Sequence, residues 1–420
     1  MDDNNAGGLP FGQPQPGIGA SAHGQEQIEA GSVHAFANSE ATPSGAHGGA
    51  TLPNEILSNP AGQTPLFGAG NTNAQFEPFT EEIAQSVPAL DFNGFILHAQ
   101  KPVPEELLRA PSGASIAEPD AVLDEENGRT YHNYHEGRYY LPNDAAEQDR
   151  LDLQHKLWQV HMDDALFKAP IQLPPKNVLD VATGTGIWAI QMAKKFPDSN
   201  VIGTDLSLIQ PEGPPNCSFI KEDAELDEWT LPVVFDYIHL RMVHTCFDDY
   251  RALFKKCYDN LEPGGWIELQ DAVFKLMCTD GTAHGSHIER FSQLILQAGE
   301  AIGRDLDIPS KYKEMLVEAG FLDVVEDVGP VPGNPWPDEA KFKSLGYWQM
   351  INSHRALRGF GWKLFRKLGM EPDDIEDLVE KAKTDITDSR LHFFFPIYVV
   401  YGRKPYDWEL EQPPHKRART

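Results

Sequence analysis

The sequence is poor in basic residues and in cysteine. Its 420 residues include 35 Lys and Arg against 63 Asp and Glu, a formal net charge of -28. This charge opposes binding to polyphosphate backbones and anionic lipids, so we expect no direct nucleic-acid or membrane binding. The four cysteines (Cys217, Cys246, Cys257 and Cys278) form no C-x-x-C pair, which argues against a zinc site or a disulfide framework. Reduced thiols inside a cell are the simpler interpretation.

Long apolar runs are also missing. No segment approaches the roughly 20 apolar residues that cross a bilayer, and the start "MDDNNAGG" lacks the basic and apolar regions of a secretory signal. We expect a soluble intracellular protein, in the cytoplasm or the nucleus. Lys416, Arg417 and Arg419 near the C-terminus are either a small nuclear address or simply solvated.

Composition divides the chain. Residues 1–90 are rich in Gly, Pro, Ala, Asn and Gln, and no Lys or Arg precedes Lys101. Such a segment buries too little apolar surface to offset its ordering entropy, so we predict a disordered tail there. We expect a poorly defined linker at 91–128, a folded domain at 129–405 and a C-terminal tail at 406–420.

Short apolar runs alternate with helical patterns after residue 144. Asp144 and Glu147 resemble a capping box and predict a helix over about 144–167. Predicted strands are 177–182, 200–205, 235–240, 265–270, 321–328 and 391–404, with helices between them. The last strand contains a proline and can be long only if that residue lies at a bulge or an edge. The alternation predicts a doubly wound α/β sheet with ligands at the carboxyl ends of its strands.

The stretch "VLDVATGTGIWAI" (178–190) is the strongest chemical signal. Gly184 and Gly186 let the backbone approach a ligand at a helix N-terminus, and Asp205 is placed to accept ribose hydroxyls. Both features suit a dinucleotide and S-adenosylmethionine equally. Asp180 suits a ligand with an ammonium and a sulfonium better than one with a pyrophosphate. Asp223 is placed to meet an adenine amino group.

These residues resemble class I S-adenosylmethionine-dependent methyltransferases, whose motif is D/E-x-G-x-G-x-G. Asp180, Ala182, Gly184 and Gly186 match it, with alanine at the first glycine. The resemblance implies a Rossmann-like seven-stranded sheet with extra N-terminal and inserted helices. It also implies a cofactor core at 176–272 and substrate-side helices at 281–390. The implied cofactor-binding residues are Asp180, Ala182, Thr183, Gly184, Thr185, Gly186, Asp205, Leu206, Asp223 and Ala224.

Several separate blocks narrow the resemblance. "EGRYYLPNDAAEQDRLDLQHKLW", "VIGTDLSLIQP" and "FDYIHLRM" resemble the filamentous-fungal LaeA-type methyltransferases, closely over residues 128–272 and loosely to 405. This implies methyl transfer from S-adenosylmethionine to a small-molecule or protein acceptor, in secondary metabolism or its regulation. Two alternatives stay open: a regulatory interaction protein that uses the fold as a docking platform for protein partners, and an NAD(P)-dependent oxidoreductase.

Residues around the fourth predicted strand are the candidates for catalysis. His239, Arg241 and His244 could face the methyl acceptor, with a structural role as the alternative for each. Arg138, Tyr139 and Tyr140 precede the first helix and could close over the cofactor, although core packing explains the tyrosines equally well. We expect no metal ion.

Overall fold

A computed structural model describes residues 123–126, 129–132, 140 and 142–411. The expected disordered tail, most of the expected linker and the basic residues at 416–419 lie outside the described residues. Strands β1 (Leu123–Glu126) and β2 (Arg129–His132) pair antiparallel. Regular structure therefore reaches into the segment that we expected to be a linker.

The remaining elements alternate along the chain. They are α1 (Ala145–His161), β3 (Asn177–Val181), α2 (Ile187–Lys195), β4 (Asn200–Asp205), β5 (Cys217–Lys221), β6 (Phe235–Arg241), α3 (Tyr250–Asn260), β7 (Leu261–Ala272), α4 (His287–Ala301), α5 (Tyr312–Glu318), β8 (Leu322–Pro332), α6 (Ala340–Lys367), α7 (Pro372–Thr387), β9 (Phe394–Arg403) and α8 (Asp407–Leu410). A short 3-10 turn, Ile308–Lys311, precedes α5.

Seven strands form one sheet in the order β5-β4-β3-β6-β7-β9-β8. Strand β9 pairs antiparallel with both of its neighbours, whereas the pairs among β3 to β7 are parallel. The chain runs outward from β3 to β5 and then returns to continue on the other side at β6. This reversal opens a crevice at the carboxyl ends of the strands, where ligands of such folds bind. The predicted doubly wound sheet is confirmed.

Alternate residues of the central strands build the two faces of the sheet. Leu179 and Val181 pack with buried side chains of α3 and α5, while Val178 packs with Trp188 and Met192 of α2. Strands covered on both faces are mostly apolar, which is why they could be predicted from short hydrophobic runs.

A separate helical layer stands beside the sheet. Helices α4, α6 and α7 share one apolar cluster, in which the rings of Phe291 and Phe365 meet edge to face at 4.9 Å. Helix α1 joins this layer because Arg150 donates to Asn352 Oδ1 of α6 over 2.8 Å. These are the extra N-terminal and inserted helices expected from the sequence.

Helix α1 is shorter than predicted. Asp144 caps it by accepting from the backbone N–H of Glu147 (3.0 Å), but the Glu147 carboxylate binds Arg150 (2.6 Å) rather than completing a capping box. The helix ends at His161, six residues early, because Asp163 and Asp164 adopt left-handed φ values of 52° and 60°. The prediction to residue 167 was wrong in this respect.

Strand β9 is an interior strand despite its proline. Its pairing with β7 ends at Ile397, opposite Ala272, so Pro396 lies just beyond that ladder. Pro396 contributes its carbonyl, which accepts from the Val273 N–H (3.0 Å). The expectation that this proline would lie at a bulge or in an edge strand was therefore wrong. The strand accommodates a residue without an N–H because its pairing with β7 stops there.

The expected C-terminal tail is partly ordered. Helix α8 folds back on β9, because Glu409 accepts from both terminal nitrogens of Arg403 (2.7 and 2.9 Å). Among the described residues, no helix is both long and apolar enough to cross a membrane.

Asp144 also binds Arg129 of β2, so it ties the start of α1 to the antiparallel pair. We predict that Asp144→Ala lowers the free energy of unfolding by about 1 kcal/mol, measured by urea denaturation, because the first turn loses its cap. Asp144→Asn should lose less, since asparagine caps equally well and only the ion pair with Arg129 is weakened. Equal losses in both variants would contradict a capping role.

Candidate functional site

A cavity of about 180 Å³ lies at the carboxyl ends of β3, β4 and β6. Its floor is the loop after β3, and its roof is one face of α1. Of the residues expected from the sequence to form the site, it is lined by Asp180, Ala182, Thr183, Gly184, Thr185, Asp205, Leu206, Asp223, Ala224, His239 and Arg241. Gly186 and His244 are not among the lining residues.

The loop after β3 turns through left-handed backbone. Ala182, Gly184 and Gly186 have φ values of 54°, 60° and 76°. A β-carbon on Gly184 would meet only Leu151 of α1, at 3.9 Å, so this backbone leaves open space in the cavity. A β-carbon on Gly186 would lie 2.6 Å from the ring of Phe219 on β5. Gly184 thus opens the cavity, whereas Gly186 lets α2 start close to the sheet.

Asp205 joins the end of β4 to this loop. It accepts at Oδ2 from the Gly184 N–H (2.8 Å) and at Oδ1 from the Ser207 N–H (3.0 Å). Each carboxylate oxygen keeps a lone pair for a further donor, such as one of two vicinal hydroxyls. Burial raises the pKa of Asp205 to about 6, so the group is ionised at neutral pH and protonates in mildly acidic solution.

Asp180 is held from two sides. It accepts from Thr183 Oγ1 (2.5 Å), and its other oxygen lies 2.8 Å from His239 Nδ1. His239 is 0% exposed and stacks on Trp188 with ring centroids 3.7 Å apart. The histidine therefore supports the carboxylate from within the sheet, and Asp180 presents negative charge to the cavity.

Asp223 follows β5 and shapes the far end of the cavity. Its Oδ1 accepts from the backbone N–H groups of Glu225 (2.9 Å) and Leu226 (3.0 Å). Its second oxygen makes no hydrogen bond with another described residue. Ala224 adds an apolar surface beside it, so this end can accept one hydrogen bond and pack against a flat ring.

Arg241 belongs to a buried polar chain. It donates to Nδ1 of His155 (2.7 Å), whose Nε2 lies 2.9 Å from Gln191 Oε1. Burial and the neighbouring Arg241 hold the pKa of His155 well below its ordinary value, so this histidine is neutral. Burial lowers the pKa of Arg241 to about 10, which leaves it cationic at neutral pH.

His244 lies beyond the end of β6 and pairs with an acid of β7. Its Nδ1 is 2.5 Å from Asp271 Oδ1, and Asp271 also accepts from Tyr312 (2.9 Å) and from the Val243 N–H (3.0 Å). The Nε2 atom is buried and has no hydrogen-bond partner among the described residues. The Phe274 ring meets the imidazole edge to face at 5.0 Å.

The residues of α1 that cover the cavity were not predicted from the sequence. Glu147, Leu151, Gln154 and His155 of α1 all line the cavity. Their spacing of four, three and one positions marks one face of a helix, a signal that was present in the sequence. Thr185 donates to Asp152 (2.7 Å), which fixes this helix to the loop below it.

Of the three residues that could have closed over the cofactor, Tyr140 is the one that the structure describes. Tyr140 packs against the apolar cluster of α4, α6 and α7, and the Arg304 guanidinium lies 5.6 Å from its ring centroid. It does not line the cavity, so the lid interpretation is wrong for Tyr140 and core packing is correct. Arg138 and Tyr139 lie outside the described residues.

The charge of the lining selects among ligands. Among the described residues, six carboxylates line the cavity and Arg241 is the one Lys or Arg that does so. The acids are Glu147, Asp180, Asp205, Glu222, Asp223 and Glu225. Such a lining repels a pyrophosphate and favours a ligand that carries positive charge. Across the part of the chain that the structure describes, no group of three His, Cys, Asp or Glu residues could hold a metal ion.

The amino-acid sequence of this chain is similar to those of known proteins. A family profile described as "Methyltransferase domain" matches residues 153–324. The methyltransferase pytC of Aspergillus terreus is 35% identical over 285 residues, which covers 67% of this chain and 88% of that protein. The secondary metabolism regulator laeA of Aspergillus fumigatus is 33% identical over 288 residues, covering 67% of this chain and 76% of that protein.

A solved structure of phosphoethanolamine N-methyltransferase 2 from Haemonchus contortus, in complex with S-adenosyl-L-methionine, is 17% identical to this chain. The match covers 64% of this chain and 54% of that chain, with a TM-score of 0.35.

The two loop glycines should respond differently to an added methyl group. We predict that Gly184→Ala costs about 1–2 kcal/mol of unfolding free energy, the cost of left-handed backbone alone. Gly186→Ala should cost more, because the new β-carbon also meets Phe219. Urea denaturation measures both, and Ala182→Gly serves as the control with the opposite sign. A greater loss for Gly184→Ala than for Gly186→Ala would contradict the assignment.

Proposed function

The chain belongs to the LaeA-like fungal family of class I S-adenosylmethionine-dependent methyltransferases, and we propose that the cavity under α1 is its cofactor site. It is a methyltransferase of secondary metabolism that uses S-adenosylmethionine. The observation that carries the site assignment is the acidic cavity at the switch point of the sheet, built on a loop whose Gly184 leaves room for a ligand.

Each end of the cavity offers groups that match one part of this cofactor. Asp205 would accept both ribose hydroxyls, and Asp223 with Ala224 would hold the adenine. Asp180 would face the cationic methionine end, and Thr183, Thr185 and Leu206 would complete the walls. Gly186 would act indirectly, by allowing α2 to start where its N-terminal backbone groups point toward the cavity.

Bound S-adenosylmethionine supplies a methyl group already activated by the positive sulfur. The protein then has to orient an acceptor and exclude water, which turns a bimolecular reaction into an aligned one. Helix α1 performs the second task here, since Leu151, Gln154 and His155 cover the cavity. Thr185 and Asp152 hold this roof at the loop.

The two alternatives are less well supported. An NAD(P)-dependent oxidoreductase needs a site that tolerates a pyrophosphate, and this lining carries six carboxylates. A docking platform without catalysis would not need a spacious acidic cavity at the switch point. The finer partner assignments, a small-molecule or protein acceptor and regulatory proteins, and the choice between cytoplasm and nucleus remain expectations from the sequence.

We predict that S-adenosylmethionine and S-adenosylhomocysteine bind the full chain in isothermal titration, and that NAD does not. The affinity should fall as the pH drops through about 6, because protonated Asp205 loses acceptor capacity for the ribose. Asp205→Asn should weaken binding by about ten-fold or more, since a hydrogen bond to a charged group contributes roughly 1.5–3 kcal/mol, and should flatten this pH dependence.

Asp198→Asn is the matched control, because Asp198 is an exposed acid outside the cavity. It should bind as the wild type does at every pH. Binding of NAD without binding of either sulfur compound would overturn the cofactor assignment. An Asp205→Asn variant with wild-type affinity would remove that residue from the site.

We assign supporting roles to all three catalytic candidates. His244 does not line the cavity: Asp271 holds its Nδ1, and its Nε2 is buried. His239 is enclosed between Asp180 and Trp188, and Arg241 donates to His155.

We predict that His244→Gln lowers the free energy of unfolding by about 1–3 kcal/mol, because the buried Asp271 loses its imidazole partner, while the affinity for S-adenosylmethionine stays unchanged. Urea denaturation and isothermal titration measure the two effects. His284→Gln, at an exposed histidine, is the control and should change neither. A loss of kcat by about 10²–10⁴-fold in His244→Gln without a loss of stability would contradict this supporting role, because that is the usual contribution of general acid–base catalysis.

A further inference from the structure

A second cavity of about 80 Å³ adjoins the first. The two cavities share Gln154 of α1 and Met242, which follows β6 directly. Met242 has a left-handed φ of 56°. Non-glycine residues hold such a conformation at a cost in free energy, and they concentrate at functional sites. The boundary between the cavities is therefore a strained and specifically built position.

The wall of the second cavity is mostly apolar. Its large side chains include Trp158, Phe274, Phe291, Phe360 and Phe395. Among the described residues, no Asp or Glu lines it, in contrast to the first cavity. Aromatic walls of this kind bury flat or branched carbon skeletons and exclude water from them.

Among the described residues, one charged side chain, that of Arg150, lines the second cavity, and its charge is already balanced. Its guanidinium donates to Glu147 (2.6 and 2.9 Å) and to Asn352 (2.8 Å), and it lies 5.6 Å from the Phe360 ring centroid. The pair is oriented across the boundary, because Glu147 lines the first cavity and Arg150 the second. The second cavity consequently offers no uncompensated charge to a ligand.

Two polar groups among the described residues of this wall are without a hydrogen-bond partner: the Trp158 Nε1 atom, which is buried, and the side-chain amide of Gln154. Gln154 is only 7% exposed, and its side-chain amide forms no hydrogen bond with another described residue. Its amide atoms are not among the fully buried atoms without a partner, so they are accessible from the cavities. By contrast, Gln349 is bound to Ser353 (2.9 Å) within the same wall. The spare amide lines both cavities, so a ligand that spans their junction would satisfy it.

We propose that the second cavity receives the methyl acceptor, and that this acceptor is a small uncharged molecule. Its apolar part packs among the aromatic side chains, and its polar group hydrogen-bonds to Gln154 at the junction. The proposal rests on the cofactor site proposed in the first cavity. It selects the small molecule over the protein acceptor that the sequence left open.

Charge excludes the commonest protein acceptors. A Lys or Arg side chain entering this cavity would lose its hydration without gaining a carboxylate. Size adds a limit, because about 80 Å³ is roughly half of the ~150 Å³ apolar cavity that binds benzene. The acceptor must therefore be small or extend through the junction toward the first cavity.

To test the proposal, a larger side chain is introduced on α6 so that it fills the second cavity. Ala356 lines it and is 7% exposed, whereas Ala340 on the same helix is exposed and outside it. The full chain, saturated with S-adenosylhomocysteine, is titrated with 1-propanol and 2-methyl-1-propanol, which are neutral probes smaller than benzene. Ala356→Phe should weaken probe binding by about ten-fold or more, and Ala340→Phe should leave it unchanged. Both variants should bind S-adenosylhomocysteine as the wild type does.

Ala356→Leu is the smaller substitution to use if the phenylalanine variant does not fold, as judged by thermal denaturation. Equal probe affinity in wild type and the filled variant, or no probe binding to the wild type, overturns the proposal. So does methylation of a lysine-containing peptide at equal rates by wild type and Ala356→Phe, a result that leaves the cofactor site intact. Failure to bind S-adenosylhomocysteine at all would instead overturn the cofactor site itself.

Discussion

The hydrogen bond from the Gly184 amide to Asp205 is the constraint on which the site depends. It joins the loop after β3 to the end of β4 over 2.8 Å, and the left-handed turn at Ala182 and Gly184 brings that amide within reach. The same loop holds the roof, because Thr185 donates to Asp152 of α1. These two hydrogen bonds fix the positions of the loop after β3, the Asp205 carboxylate and helix α1 relative to one another.

Helix α1 separates two chemical environments along its length. Toward the loop it presents Glu147 and His155 to an acidic cavity, and toward α6 it presents Leu157 and Trp158 to an apolar one. The buried Glu147–Arg150 pair divides its charges between the two sides. A cationic cofactor and an uncharged acceptor, as proposed, would each meet a matching surface, and the boundary would discourage either from taking the place of the other.

The sequence predicted the sheet well where strands are buried on both faces, as at Val178 and Leu179 of β3. It was much less informative about β5, whose Cys217–Lys221 segment is partly exposed at a sheet edge and has a weak apolar pattern. The loop residues could be identified because their spacing in the chain fixes their place in space. His155, Gln154 and Met242 could not, since they reach the cavities only through the packing of α1 and a backbone strain that no local motif encodes.

The bond between Arg150 and Asn352 spans 202 residues of chain. During synthesis the helix that covers the cavity is made early, but the helix that fixes its outer face is made nearly two hundred residues later. Contacts of such sequence separation form late in folding, because a long loop must first be closed. Until that bond forms, α1 is held over the cavity by the bond from Thr185 to Asp152, without its support from α6.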